Sequence, residues 1–448
     1  MDRSLEEIAA RLIDAAGRAG AEAADALVVD GTSISIDVRG GRLEHAERSE
    51  SIDLGLRVLI GQRQACVSAS DSSDATIAEM AARAVAMARE APEDPWIGLA
   101  EPDQLARNWD LAALELEDPS PEPTPEMLEE DARRAEAAAL AVPGVTQVQS
   151  ASAGYGRTRL HLAATNGFSG GYARTERGIS CVAITGEGTA MERDYMGESR
   201  VFQADLPSPE EIGRIAGERA VARAGARKPP TGAFPVIYDE RVAAGLIGHL
   251  LAAANGAAIV RGSSWLLDAE GKPVLPRGLS LIEDPHRPRI PGSRPFDAEG
   301  LPTRARAIVD DGVLTGWILD LATARRLGRE STANATRTTS SPPTPGVSNV
   351  ALTQGEASRE ELMRRMGRGL LVTSLMGSSI NPTTGDYSRG ASGFWVENGE
   401  IAYPVNECTL AGNLREMLAT IIPANDARPH RSRMVPSLLV EGLTIAGA

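Results

Sequence analysis

The stretch Thr384–Val405 reads TGDYSRGASGFWVENGEIAYPV and sets the expected fold of the C-terminal part of the chain. An apolar run, FWV, leads into the turn residues Asn398 and Gly399, and a second strand-like run, EIAYPV, follows. An Asn-Gly pair between two such runs is a strong hairpin signal, because both residues tolerate a positive φ. The stretch therefore predicts a β-hairpin within a large, β-rich C-terminal domain at residues 229–448.

Three candidate functional residues precede this hairpin in a segment bounded by glycines: Asp386, Tyr387 and Arg389. We expect them to lie in a loop, where binding residues often collect on a rigid sheet. They are candidates to line a cavity that holds a peptide, or to contact a neighbouring subunit. The alternative is an Asp386–Arg389 ion pair that only pins the loop.

A helix is predicted from Asp239 to about Asn255, and it is apolar or small on nearly all sides, which favours burial. His249 lies on this helix and is interpreted as a hydrogen-bonded, buried histidine, with a ligand or general base as the alternative. One stripe of the helix contains Ala243, Leu246, Ile247, Leu250, Leu251 and Ala254, and the opposite stripe contains Val242, Gly245, His249, Ala252, Ala253 and Gly256.

The fold class predicted for the whole chain is α+β. An N-terminal α/β unit at residues 1–90 is followed by an acidic, proline-rich linker at 91–126 and a middle α+β unit at 127–228. Each unit shows strand-like runs with helical patterns on either side, so we expect two separate units before the C-terminal domain. The linker is expected to wrap the surface as a solvated segment.

Composition and net charge argue against several classes of protein. The 448 residues carry a formal net charge of -15, which disfavours binding to nucleic acid or to an anionic membrane. No run approaches the roughly 20 apolar residues of a membrane helix, and the acidic, amphipathic N-terminus does not resemble a signal peptide. A cytoplasmic protein is expected. The three cysteines, Cys66, Cys181 and Cys408, suggest neither a disulfide framework nor a metal knuckle.

Common catalytic motifs are absent or unconvincing. The chain has neither a P-loop nor a Gly-x-Gly-x-x-Gly between a strand and a helix. A Gly-x-Ser-x-Gly match at residues 167–171 is interpreted as a hairpin turn, since a strand-like run follows it instead of a helix. The five histidines are scattered, which leaves open only a metal site assembled from distant segments.

Several long motifs, in chain order, point to one family. The chain resembles the PmbA/TldE branch of the TldD/PmbA modulator-of-gyrase family over essentially its whole length. The resemblance implies three domains, and it implies a metalloprotease family that acts on peptides and unstructured polypeptides. The motifs are GEGTAMERDY at 186–195, NGAAIVRGSSWL at 255–266, LDLATARRLGRESTAN at 319–334, the 384–405 stretch with GNLREM after it, and PSLLVEGLTIAG at 436–447.

The resemblance also implies that the zinc site has degenerated in this chain. In the TldD branch a helix carries His-Glu-x-x-x-His, which binds zinc and activates water. Alignment on Arg261–Ser264 places Ile247 and Ala252 at the histidine positions and Gly248 at the glutamate position. The segment ARPHRSRMVPS at 427–437 lacks the cysteine ligand of that branch. We therefore expect no catalytic residues and no metal or other cofactor on this chain, and zinc only on a partner.

The leading hypothesis is a PmbA/TldE-type subunit of a TldD/TldE-like zinc metalloprotease complex. Its partners would be a TldD-like subunit in a heterodimer and a peptide or unfolded polypeptide, with a homodimer when the chain is alone. One alternative is a metallopeptidase in its own right, with an unconventional site around His249, Asp386 and Arg389. Another is a homodimeric peptide-binding regulatory protein.

Overall fold

The computed structural model describes residues 3–447. Long antiparallel strands with two pairs of long helices make up the first half of the chain. Its elements are α1 Leu5–Ala19, β1 Ala23–Arg39, β2 Arg42–Ile60, β3 Arg63–Ala69, α2 Asp74–Glu90, α3 Leu111–Leu114, α4 Pro125–Leu140, β4 Val145–Ala164, β5 Ser169–Thr185, β6 Glu192–Arg200 and α5 Pro209–Ala222.

The six strands of this half form one antiparallel sheet in the order β3-β2-β1-β4-β5-β6. Strand β1 pairs with β2 on one side and with β4 on the other, so the N-terminal and middle units share a continuous sheet. The two expected units are therefore joined through their strands. The paired residues of β1 and β4, from Val38 with Ala151 to Asp25 with Ala164, are well separated along the chain, and such pairing leaves no local signal in the sequence.

Each unit nevertheless has its own hydrophobic cluster, under α1 and α2 at one end of the sheet and under α4 and α5 at the other. Helix α1 begins at a capping box in which Ser4 and Glu7 bond each other's backbone, and it ends at Gly20 with φ 102°. Helices α4 and α5 pack closely: a Cβ at Gly213 would lie 1.9 Å from the carbonyl oxygen of Ala135.

The second half contains short strands and a compact barrel. Its elements are β7 Gly232–Tyr238, α6 Glu240–Ala253, α7 Gly256–Val260, β8 Leu281–Glu283, β9 Arg306–Asp310, β10 Val313–Leu314, α8 Leu321–Arg326, β11 Ala335–Thr336, β12 Thr344–Pro345, β13 Val350–Leu352, α9 Arg359–Met366, β14 Gly369–Ile380, β15 Asp386–Glu397, β16 Glu400–Asn413, α10 Leu414–Ala419, β17 Ile422–Pro423, β18 Arg433–Met434 and β19 Leu438–Ala446.

The barrel closes because β16 pairs with both β15 and β19, which completes the ring β16-β15-β14-β7-β19. The predicted hairpin is confirmed as β15 and β16, with Asn398 in the turn at φ 53°. Helix α6 packs its apolar stripe into the same hydrophobic cluster as the barrel strands. The α+β class with a β-rich C-terminal domain is confirmed.

The segment 91–126 connects the N-terminal unit to the middle unit and is held against the C-terminal domain. The amide of Ala106 donates to the carbonyl of Gly300 at 2.8 Å, and Arg325 donates to the carbonyl of Leu99 at 2.7 Å. The ring of Trp109 lies 5.0 Å from that of Phe296. The linker is therefore a structured strap. Among residues 3–447, no helix is long and apolar enough to span a membrane.

Candidate functional site

Helix α6 organises the candidate site, and a buried carboxylate fixes its start. Asp239 caps the helix and accepts from Arg241 at 3.1 Å and from Arg359 at 2.8 Å. Burial acts to raise the pKa of Asp239, but the two arginines outweigh burial and hold it below its ordinary value. One face of α6 faces the core, and the other is partly open and carries small residues: Ala244, Gly245, Gly248 and Ala252, with His249 beside them.

The three positions that the resemblance assigns to zinc chemistry lie on different faces of α6. Ile247 is 0% exposed and belongs to the core, whereas Gly248 and Ala252 lie on the open face. Their side chains supply no nitrogen, oxygen or sulfur atom. Within residues 3–447, no group of three or more His, Cys, Asp or Glu side chains is placed to hold a metal ion. These three positions therefore offer no ligand to zinc.

An arginine from the C-terminal segment fills the space beside Gly248. A methyl group at Gly248 would lie 3.2 Å from the Nη1 atom of Arg433, whereas one at Gly245, a turn earlier, would meet nothing within 4 Å. A guanidinium thus lies where a side chain at the glutamate position would extend. Its positive charge would repel a metal cation.

His249 contacts Tyr387 instead of a hydrogen-bonding partner. The ring centroids are 5.9 Å apart, with an edge-to-face angle of 75°, and no hydrogen bond to the imidazole is found within the described part of the chain. The ring is half-buried on the open face of α6, so it is less buried than the sequence interpretation expected. Burial, and then the nearby charge of Arg389, lower the pKa of His249. The lowered pKa favours the neutral imidazole.

The residues expected in a loop belong instead to strand β15, which begins at Asp386. Tyr387 and Arg389 share one face of the strand, and Asp386 points to the other. Asp386 accepts from Thr384 at 2.6 Å, and Arg389 donates to the carbonyl of Gly377 at 2.7 Å. The alternative of a pinning ion pair is wrong. The structure brings His249, Tyr387 and Arg389 together and leaves Asp386 apart.

A buried carboxylate that the sequence did not single out, Glu198 of β6, attaches the C-terminal segment to the middle unit. Glu198 is 4% exposed. It lies 2.5 Å from Arg200, 2.6 Å from Arg428, and 3.0 Å from both His430 and Arg431. The four basic residues within Arg428–Arg433 indicate that this segment needs an acidic partner, but nothing local in the sequence identifies Glu198 as that partner.

The Gly-x-Ser-x-Gly match lies at the hairpin between β4 and β5, as predicted. Ser169 is the first residue of β5, and its Oγ lies 2.9 Å from Nε2 of His161 on the neighbouring strand. A strand follows the serine, and the serine is exposed. The pair is a cross-strand contact and lacks the strand-to-helix elbow of a nucleophile.

Comparison with known proteins gives a consistent result along the chain. Models of the PmbA/TldA metallopeptidase match in order: domain 1 at residues 24–88, the central domain at 116–224 and the C-terminal domain at 231–447. Metalloprotease PmbA of Escherichia coli O157:H7 is 37% identical over 427 residues, which cover 95% of this chain and 92% of that protein.

Two crystal structures share the fold over nearly the full length. A candidate modulator of DNA gyrase from Bacteroides thetaiotaomicron superposes with a TM-score of 0.91 at 27% identity and covers 99% of each chain. TldE from Thermococcus kodakarensis superposes with a TM-score of 0.85 at 22% identity, over 98% of this chain and 100% of that one. The second likeness concerns the fold alone.

Proposed function

The chain belongs to the PmbA/TldD metallopeptidase family, and on that premise we propose that it is a PmbA/TldE-type subunit of a TldD/TldE-like zinc metalloprotease complex. The complex processes or degrades peptides and unfolded polypeptides in the cytoplasm. A TldD-like partner carries the zinc and performs the hydrolysis. In the absence of that partner the chain forms a homodimer.

The open face of α6 is the observation that carries this proposal. Zinc hydrolysis needs protein ligands, an open coordination position and a carboxylate that takes the proton from water. At the corresponding positions Ile247 is buried, Gly248 has no side chain, and Ala252 ends at a methyl group. Arg433 lies next to Gly248 and adds a positive charge. This chain therefore contributes walls and substrate contacts.

The arrangement around α6 suits an extended polypeptide. Ala244, Gly245, Gly248 and Ala252 leave a shallow surface on the helix. The imidazole of His249 and the guanidinium of Arg389 lie at its edge. Such groups can contact a peptide backbone without cutting it, since no metal ligand set accompanies them among residues 3–447.

A cleavage assay tests the proposal. An unfolded polypeptide is incubated with the purified chain alone, with a His-Glu-x-x-x-His paralogue from the same genome, and with both together. The chain alone should leave the substrate intact, and the mixture should cleave it in a reaction that a chelator abolishes. Chelator-sensitive cleavage by this chain alone, free of any paralogue, would overturn the proposal.

A further inference from the structure

A cavity of about 280 Å³ lies at the N-terminal end of the open face of α6, between the middle unit and the C-terminal domain. Five guanidinium groups line it, together with one carboxylate, that of Glu240. The arginines come from three separate parts of the chain: Arg219 from α5, Arg241 from α6, and Arg428, Arg431 and Arg433 from the C-terminal segment.

Three of these arginines already have carboxylate partners. Arg241 lies 3.1 Å from both Asp194 and Asp239. Arg428 pairs with Glu198 and Glu240, and Arg431 pairs with Glu198. These ion pairs hold the cavity walls in place.

The other two, Arg219 and Arg433, have no carboxylate within 4 Å among residues 3–447. Arg219 donates to the backbone carbonyl of Tyr195 at 3.0 Å. Burial, and then the neighbouring charge of Arg241, lower the pKa of Arg219. Two guanidinium groups without an ion-pair partner in the described part of the chain therefore line the same small cavity, which favours an anionic ligand.

We propose that this cavity binds the C-terminal carboxylate of a peptide substrate, with Arg219 and Arg433 as the groups that recognise it. That the ligand is a peptide rests on the proposed function, whereas the arginines alone define the site as one for an anion. A carboxylate matches the planar fork of a guanidinium through two parallel hydrogen bonds.

The size and the walls of the cavity favour a terminal residue over other anions. Small-molecule sites usually occupy about 300–1,000 Å³, so this cavity, at about 280 Å³, lies at the lower end of that range. Met196, Ala244 and Val435 add an apolar lining. That lining would pack against an aliphatic terminal side chain. A free phosphate has no apolar group that could make the same contact.

The site leads onto the surface of α6. From Ala244 to Ala252 the helix extends about 12 Å at 1.5 Å per residue, a length that an extended peptide covers with about four residues at 3.3 Å each. A six-residue probe is therefore long enough to fill the cavity and to lie along the open face past Gly248.

The test measures binding, without cleavage and without any partner subunit. A fluorescent hexapeptide that ends in leucine is titrated with the purified chain, once with a free C-terminal carboxylate and once with a C-terminal amide. The free acid should bind at least about tenfold more tightly than the amide, because the amide removes the charge-assisted hydrogen bonds. Equal affinity for the two probes would overturn the inference.

Variants locate the site. Arg433→Ala and Arg219→Ala should each weaken binding of the free acid about tenfold or more and leave the weak binding of the amide unchanged. The matched control is Arg277→Ala, whose side chain is 93% exposed and does not line the cavity. If Arg277→Ala weakens binding as much as the cavity variants do, the effect is one of net charge and the site assignment is wrong.

Inorganic phosphate distinguishes a peptide site from a general anion site. It should displace the probe only at concentrations well above those at which the unlabelled acid competes. Equal potency would contradict the peptide assignment. The proposed function is tested separately, by the cleavage assay. If a mixture with the partner cleaves peptides with a free acid and with an amide equally well, that result refutes only the carboxylate site.

Discussion

Replacing Glu198 by glutamine should release the C-terminal segment from the middle unit. The carboxylate is surrounded by Arg200, Arg428, His430 and Arg431. Burial opposes the ionisation of Glu198, but the close contact with His430, the hydrogen bond from Arg200 and the charge of Arg431 outweigh burial and lower its pKa. The group is therefore ionised at neutral pH, and the variant removes a buried charge with four partners.

The magnitude follows from the exposure of those partners. Breaking a buried ion pair typically costs about 3–5 kcal/mol. Here the side chain of Arg431 is 45% exposed, so water compensates part of the loss, and glutamine keeps the volume and one acceptor oxygen. We expect Glu198→Gln to lower stability by roughly 2–4 kcal/mol, and to lower Tm by on the order of 5 °C.

Two assays check this expectation, with Glu187→Gln as the control because Glu187 is exposed and has no ion pair within residues 3–447. Thermal unfolding gives the change in Tm, and hydrogen exchange shows whether residues 428–434 lose protection first. An unchanged Tm together with unchanged exchange would refute the role assigned to Glu198.

The effect should depend on pH in a defined direction. Because the folded-state pKa of Glu198 lies below its unfolded value of about 4.3, its contribution is complete above about pH 5 and is lost progressively as the pH falls toward the folded-state pKa. The difference in stability between the wild type and Glu198→Gln should therefore shrink below about pH 4.3. A difference that stays constant down to pH 3 would contradict this linkage.

Three further predictions concern α6 and its surroundings. Gly245→Ala and Gly248→Ala should each raise the free energy of unfolding by about 0.5–1 kcal/mol in denaturant melts. Only Gly248→Ala should weaken binding of the free-acid peptide, because its methyl group displaces Arg433. Identical binding by the two variants would be evidence against that contact. Arg389→Ala should reduce peptide processing by the complex or its assembly and leave Tm nearly unchanged, because its side chain donates only to the carbonyl of Gly377; global unfolding would show a structural role. Elemental analysis of the isolated chain should find far less than one zinc per chain, and about one tightly held zinc would be incompatible with the account of α6.

The sequence predicted the local elements well where turn chemistry is explicit. The turn at Asn398 and Gly399 and the α6 helix follow from local patterns. The start of β15 did not, because the glycines on either side of residues 386–389 favour a loop. A Cβ at Gly393 would lie 1.9 Å from the carbonyl oxygen of Leu371, so that glycine allows strand β15 to approach its neighbour closely.

The candidate site was predicted only in part, for a different reason. The missing donor atoms at Ile247, Gly248 and Ala252 could be identified from the resemblance alone. The arginine cavity could not, because Arg219 and Arg433 are more than 200 residues apart and meet only through tertiary packing. Long-range ion pairs such as Glu198 with Arg428 leave no periodic pattern in the sequence.

The most direct test of the central claim is cleavage by the mixed complex when the partner's glutamate in His-Glu-x-x-x-His is replaced by glutamine. All hydrolysis is assigned to the partner, so the mixture should lose cleavage of an unfolded polypeptide completely, while the two chains still copurify. Retained, chelator-sensitive cleavage by this inactivated complex would place catalytic chemistry on the present chain and would contradict the account.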